Sequence, residues 1–400
     1  MRLIHLSDLH LGIRQFQRHT PAGMNQREAD VAGVFQKTVD RIIDLAPDLV
    51  VIAGDVFHNV RPPNPSILHT FQQIARLARE LPNGVIVMVA GNHDTPRAVE
   101  TGCILRLFIP LGIHVVDTEP RRLHFPERDL SVLAVPDVPG AAPSFDIDPA
   151  ARYNVLVAHL DMPGTYPDSG GYTEPAALNI GPEDIDYASW GYCAFGHKHV
   201  FQQLAPNACW SGAMEYTSNF IWGELGNERA NKLPGKGFIE YDLDRKKRTF
   251  HKIEPARPLV DLPPITASGL TAADVDAAIA ANVRALKGGV DDKIVRQVIK
   301  EIPRHVAREL DHRVLRDMRR RAIQFHLDTR RPELLRALPV TGASGRRPSL
   351  MEMVQERLWS RPLGPDIDRQ ALVDLGLRYL QDADAREAAS GTATIAADSE

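Results

Sequence analysis

The chain has 400 residues, of which 44% are hydrophobic and 24% charged. These fractions belong to ordinary globular proteins and exclude collagen-like, coiled-coil and largely disordered chains. Lys and Arg number 47 and Asp and Glu 51, a formal charge of -4 that excludes a globally basic nucleic-acid binder but permits a local basic face. Three cysteines (Cys103, Cys193 and Cys209) form no C-x-x-C pair, and an odd count does not suit a secreted disulfide framework, so a reduced cytoplasmic setting is expected. No apolar run approaches the ~18 residues of a membrane helix. The chain opens with MRLIHLSDLHLG and shows no signal-peptide pattern.

Up to about residue 255 the pattern is α/β. LIHL (Leu3–Leu6), LVVIA (Leu49–Ala53), VIVMVA (Val85–Ala90) and VLVA (Val155–Ala158) are short apolar runs of the kind that form strands buried on both faces. Helical spacing appears between them, over Glu28–Leu45 and Ser66–Leu81. After Gly112, the segments Ile113–Val116, Leu123–Phe125 and Leu130–Val135 are split by turns. GFIEYDL and RTFHKIE read as a hairpin, and together these segments predict a second, more antiparallel sheet. Met162–Pro182 reads as a long loop and Pro255–Pro264 as a linker.

Beyond the linker, Thr271 is placed to cap a helix reaching about Leu286. Strand character over Lys293–Ile302, helical character over Val306–Arg320 and strand character over Ala322–Thr329 complete a small α-β-α-β unit. Thr341–Pro348 reads as a second linker, followed by amphipathic helices near Leu350–Trp359 and Arg369–Leu380 and a disordered acidic tail. The organisation is therefore 1–255, 265–335, 349–382 and a tail over 383–400.

Five apolar runs end in metal-ligand residue types. They lead into Asp8 and His10, into Asp55, into Asn92-His93-Asp94, into His159, and into His197-Lys198-His199. Strand carboxyl ends converge on one edge of an open α/β sheet, so these distant residues can share one pocket. Two Asp, one Asn and four His offer oxygen and imidazole nitrogen without thiolate, a set that suits Mn²⁺, Fe²⁺ or Zn²⁺. Seven ligands are too many for one ion and fit two ions about 3.5–4 Å apart that share a carboxylate. His5, inside the first strand, reads as a packed core residue.

The ordered set D-x-H, GD, GNHD, strand-end H and GHxH resembles the calcineurin-like metallophosphoesterases. The strings SDLHLG, GDVFH and GNHD, with the later SG-x-x-E, resemble the SbcD-type nuclease subunits of double-strand-break repair. The motifs cover about residues 5–225. The resemblance implies a two-sheet sandwich flanked by helices, with a small capping domain and a helical C-terminal segment. It places Asp8, His10 and His199 on one ion, Asn92, His159 and His197 on the other, and Asp55 between them. It makes His93 the group that protonates or stabilises the leaving oxygen, Asp94 its orienting carboxylate, and His58 a positioner of the phosphodiester backbone. Attack by an activated water without a covalent intermediate follows. The implied metal is Mn²⁺, with Mg²⁺, Fe²⁺ or Zn²⁺ as alternatives.

The resemblance further implies 3′-to-5′ exonuclease action on duplex ends, single-strand endonuclease action, a homodimer formed through the nuclease domain, and an SbcC-like SMC-type ATPase partner that engages helices after the cap. Arg61, in the Arg61-Pro62-Pro63 run after His58, and Lys198 are candidate DNA contacts. So are Arg316, Arg319, Arg320 and Arg321, within a stretch (Lys293–Arg331) that holds twelve Lys and Arg against five Asp and Glu. A solvated helix face explains the same charges without DNA. Two other functions fit the residues: a stand-alone phosphodiesterase on small or nucleotide substrates, and a DNA-end scaffold for the ATPase. Lys198 stands where that family usually has an apolar residue, and Ile221–Lys236 looks longer than the family's link.

Overall fold

The computed structural model describes residues 1–96, 102–141, 143–165, 176–332, 350–360 and 368–381. The chain forms two compact units, Met1–Pro332 and Glu333–Glu400.

In the first unit, β1 (Arg2–Leu6), β2 (Leu49–Ala53) and β3 (Val85–Val89) lie side by side and parallel. Alternate side chains enter different cores. Val50 and Ile52 of β2 join Val31, Val34, Phe35, Val39 and Ile42 under the helices, whereas Leu49, Val51 and Ala53 meet Val132, Val155 and Val157 of the opposite sheet. Burial on both sides is why these runs are continuously apolar rather than alternating. The helices are α1 (Gln26–Leu45) and α2 (Asn64–Glu80). The Asn25 side chain starts α1 by accepting from the N–H groups of Arg27 and Glu28.

Sheet membership departs from the expectation at three strands. β4 (His114–Val116) pairs parallel with β3 and so belongs to the first sheet. The second sheet consists of β5 (Arg121–Phe125), β6 (Leu130–Val135), β7 (Tyr153–His159), β8 (Tyr192–Gly196), β9 (Gln202–Ala205) and β10 (Ala208–Trp210). Its order is β5-β6-β7-β8-β10-β9, parallel at its centre with antiparallel edge strands. After α3 (Ile221–Ala230), β11 (Gly237–Asp242) and β12 (Lys247–Lys252) form the expected hairpin, but β11 docks antiparallel on β1 and extends the first sheet. Docking there pairs the free edge of β1. It sends Phe238 to the helix side and Ile239 and Tyr241 to the space between sheets.

The Pro255–Pro264 stretch is not a plain linker. It contains β13 (Leu259–Asp261), and β14 (Ile265–Thr266) follows at once. Both pair parallel with one side of β15 (Ile294–Lys300), while β16 (Gln324–Thr329) pairs parallel with the other. α4 (Ala272–Ala285) carries a capping box built by Thr271 and Asp274. The single helix expected over Val306–Arg320 is two, α5 (Arg304–Arg308) and α6 (His312–Arg321). Leu310 turns into the core, and Asp311 restarts the helix by accepting from the N–H groups of Arg313 and Val314. α3 packs on this part: Ile221, Trp222 and Leu225 pack with Leu259, Ile294 and Ile323, and the Arg296 guanidinium lies 4.9 Å from the Trp222 ring centroid.

In the second unit, α7 (Leu350–Trp359) and residues 369–381 are helical. They touch: Arg369 donates to the Trp359 carbonyl, and Gly376 lies against Leu358. The proposed linker Thr341–Pro348 and the acidic tail lie outside the described residues, as does the middle of the Met162–Pro182 loop. Among the described residues no helix is long and apolar enough to cross a membrane.

His5 ties the two sheets together. Its Nε2 donates to the Phe195 carbonyl (3.2 Å), and its Nδ1 accepts from the Tyr192 hydroxyl (3.0 Å). Burial lowers the imidazole from 6.5 to about 3, against the opposing pull of the Phe195 carbonyl. An unfolded chain therefore binds a proton there between about pH 3 and 6.5 that the folded chain does not, so this group's contribution to stability is complete above 6.5 and falls as pH drops through that window. The His5 ring resonances should stay flat in an NMR titration from pH 8 to about 5. A midpoint near 6.5 would contradict the buried bridge.

Candidate metal centre

The structure gathers the predicted strand-end residues at one seam between the sheets. Asp8 and His10 follow β1, Asp55 follows β2, and Asn92 and His93 follow β3. His159 closes β7, and His197 and His199 follow β8, whose neighbour β7 lies against β2. The backbone is strained to aim them. Asp8, His10, Asp55 and His197 all have positive φ, at 54°, 45°, 53° and 102°. Each such residue costs on the order of 1–3 kcal/mol and persists only where neighbours hold it. The hold is visible: Asp8 N–H donates to the Gly54 carbonyl (3.0 Å), His10 N–H to that of Asp55 (3.0 Å) and Leu11 N–H to that of Val56 (2.9 Å). Close approach also explains two glycines. A Cβ on Gly91 would strike the Asp55 carboxylate, and one on Gly196 would strike the Ala53 carbonyl oxygen.

Three overlapping groups occur among the described residues. Asp8, His10 and His199 bring ligand atoms within 4.8 Å of one another, as do Asp8, Asp55 and His159, and His10, His58 and His93. His10 Nε2 lies 2.9 Å from His199 Nε2 and 3.7 Å from Asp55 Oδ2. On the other side, Asn92 Oδ1 lies 3.0 Å from His159 Nε2 and 3.3 Å from His197 Nδ1, and His159 Nε2 is 3.5 Å from Asp55 Oδ2. Asp55 thus stands between the groups. Two imidazole nitrogens aimed at each other share at most one proton, whereas a divalent cation satisfies both lone pairs together with the buried carboxylates. The residues present fit a metal centre.

Electrostatics agree with that fit. Burial raises the Asp55 carboxyl, with Asp8 adding to the effect, although His159 and His93 oppose it. Burial, with neighbouring imidazoles, holds His10 and His197 well below the ordinary histidine value, in the neutral form that ligates. His159 moves the other way: burial alone would lower it, but the carboxylates of Asp55, Asp8 and Asp137 raise it. Its Nδ1 bonds the Ala53 carbonyl (2.8 Å), which leaves Nε2 toward the cluster.

His93 and His58 sit beside the donors. His93 Nδ1 meets the His58 carbonyl (2.7 Å), its backbone N–H donates to Asp55 Oδ1 (2.9 Å), and its ring stacks on that of His58 at 5.2 Å between centroids. His58 Nδ1 lies 3.3 Å from His10 Nδ1. Two expectations need correction. Asp94 does not orient the His93 ring. Its carboxylate accepts from the N–H groups of Val56 (3.0 Å), Phe57 (3.0 Å) and Gly91 (3.1 Å), clamping the loop that carries Asp55 to the loop that carries Asn92. Lys198 neither reaches toward DNA nor faces solvent. It is buried, with Nζ 2.7 Å from Asp161 Oδ1. Arg61 is exposed on the loop after His58, and Arg316, Arg319, Arg320 and Arg321 are exposed on α6. Arg320 pairs with Asp317 (2.7 Å) and Arg321 with Asp291 (2.5 Å), which spends part of that charge.

Three residues near the centre were not singled out from the sequence: Asp161, Glu224 and Lys236. Glu224 and Lys236 lie in the Ile221–Lys236 stretch, whose extra length was the only signal there. Asp161, two residues after His159, carries no motif.

Residues 1–201 match the family model described as calcineurin-like phosphoesterase. The chain belongs to that family. Its centre is that of a metal-dependent phosphoesterase. Among curated proteins, this phosphoesterase is 29% identical over 218 residues to the DNA double-strand break repair protein Mre11 of Methanopyrus kandleri, a match covering 50% of this chain and 45% of that one. It is 32% identical over 102 residues to the Mre11 protein of Methanococcus maripaludis, covering 26% and 25% of the two chains. With that of Sulfolobus acidocaldarius it shares 35% over 100 residues, covering 25% and 24%. The chain thus spans about half or less of the length of the curated relatives it matches.

The contact between Gly196 and the Ala53 carbonyl generates a test. Gly196→Ala should destabilise the phosphoesterase by about 1–3 kcal/mol and displace His197. Chemical denaturation, with metal content measured beside it, would show both effects; wild-type values for the two would contradict the packing described.

Proposed function

We propose that this phosphoesterase is a two-metal DNA nuclease subunit that processes DNA ends in double-strand-break repair together with an SMC-like ATPase. The observation that carries the reading is the convergence of seven donor side chains beside His93, in a chain similar to Mre11 proteins named for double-strand-break repair. In this reading Asp8, His10 and His199 hold one ion, Asn92, His159 and His197 the other, and Asp55 both. Mn²⁺ is the favoured ion. When bound, such ions supply positive charge to a phosphodiester and lower the pKa of water beside it.

The chain's own groups do the rest. With Nδ1 tied to the His58 carbonyl, His93 is held with Nε2 as the nitrogen that exchanges a proton, suited to the leaving oxygen of a cleaved phosphodiester. The stacked His58 ring positions the substrate backbone next to it. Asp94 keeps the two loops in register. Arg316, Arg319 and Arg61 offer exposed charge to backbone phosphates, which favours binding without base readout. Exonuclease action from 3′ to 5′ and single-strand endonuclease action belong to the same proposal, as does a cytoplasmic, nucleoid-associated location.

Exposed apolar side chains support the partners. Met353, Trp359, Leu375 and Tyr379 on the two C-terminal helices offer a surface to the ATPase. Leu68, Leu107 and Ile109 of the nuclease part do the same for a second copy.

The test compares linear duplex DNA with a small aryl phosphodiester, each with and without Mn²⁺, for the wild-type chain and His93→Ala. Duplex degradation that requires Mn²⁺ is expected, and His93→Ala should slow it by about 10²–10⁴-fold while metal content is kept. Turnover confined to the small ester would favour a stand-alone phosphodiesterase. Loss of metal in the variant would make His93 a ligand instead.

A further inference from the structure

The two histidines of the Gly196–His199 turn face the cluster through opposite ring nitrogens. His199 presents Nε2, 2.9 Å from His10 Nε2 and 4.0 Å from Asp8 Oδ1. His197 presents Nδ1, 3.3 Å from Asn92 Oδ1. A neutral imidazole that ligates through one nitrogen carries its proton on the other, and that N–H needs an acceptor.

Both outer nitrogens point at a carboxylate. His199 Nδ1 lies 3.5 Å from Glu224 Oε1; both atoms are buried, and neither has a hydrogen-bond partner among the described residues. His197 Nε2, also buried and without such a partner, lies 3.9 Å from Asp161 Oδ2. Each carboxylate is in turn held by a buried lysine. Lys236 Nζ grips Glu224, lies 3.2 Å from Glu228 Oε1 and donates to the His199 carbonyl (2.8 Å). Lys198 Nζ lies 2.7 Å from Asp161 Oδ1.

We propose that Glu224 and Asp161 are positioning residues: each fixes the proton-bearing nitrogen of one metal-ligating histidine, and each is kept out of the metal's own coordination by a lysine. The proposal rests on the two-ion reading given above. Its logic is electrostatic. An anionic acceptor fixes the ring's tautomer and orientation and makes the inner nitrogen a stronger donor. A carboxylate this close to a dication would otherwise be drawn in as a ligand, and the ammonium opposes that move. Glu224 shows the balance: Lys236 Nζ grips one carboxylate oxygen while the other lies 3.5 Å from His199 Nδ1. α3 holds Glu224 in place, because Trp222 on the same helix is seated beneath Arg296.

The test is calorimetric titration of Mn²⁺ into the metal-free full chain, with thermal denaturation of each variant alongside. The wild-type chain should bind two ions. Glu224→Gln should weaken one site by about 10–100-fold and Asp161→Asn the other. Glu228→Gln also touches Lys236 but faces no ligand, and it should leave both affinities at the wild-type value. If Glu224→Gln does not fold, Glu224→Asp replaces it and should show the same one-site loss. Wild-type affinities in both Glu224→Gln and Asp161→Asn would overturn the proposal, as would equal loss in Glu228→Gln and Glu224→Gln. A wild-type chain that binds fewer than two ions would instead overturn the two-ion reading, and the proposal with it.

Discussion

Asp8 and Asp55 are buried at the meeting of two sheets, among other oxygen and nitrogen donors. Placing a bare carboxylate there costs several kcal/mol. Protons relieve part of the cost, as the raised Asp55 carboxyl shows, and cations relieve more because they also use the imidazole lone pairs. Much of the architecture serves this arrangement. The parallel strands β1, β2 and β3 deliver three loops to one edge, and β7 and β8 deliver two more from the facing sheet. Four donors accept strained backbone for the sake of their aim.

Around the donors lies a buttress of buried polar groups. Ser211, which opens the SG-x-x-E motif, bonds Ser7 (2.8 Å), and Ser7 donates to Asp8. Glu215, which ends it, accepts from the Ala256 N–H (2.7 Å) and lies 3.4 Å from Arg27 on α1. The motif therefore secures the loop after β1 and the exit toward β13. Asp94, Lys198 and Lys236 work in the same way. The charge of Asp94 and Lys198, which looked available for catalysis or DNA, is instead engaged in a loop clamp and a buried ion pair, as expected where unpaired buried charge is costly.

The strand-end donors were legible because a buried strand has a recognisable run, and the residue after it lies at a predictable edge. α1 and α2 were legible from apolar periodicity, and α4 from the Thr271 cap. Sheet membership was not. The runs of β4, β11 and β12 look alike in either sheet, and only long-range pairing decides between them. β13 is hidden by flanking prolines, and the break between α5 and α6 depends on Asp311 acting as a cap rather than a surface residue. Lys198 misled because one residue type serves a solvent-exposed phosphate contact and a buried ion pair equally well, and its partner, Asp161, is 37 residues away. Glu224 had no local mark because it meets His199 only through the folded position of α3.

The central claim is that two divalent cations share Asp55 between the Asp8-His10-His199 and Asn92-His159-His197 groups. Anomalous diffraction from crystals grown with Mn²⁺ tests it most directly, since it reports ion number, identity and ligands together. Two peaks, each within coordinating reach of an Asp55 oxygen, are the predicted result. A single well-occupied peak, or a second ion that Asp55 does not touch, would contradict the account.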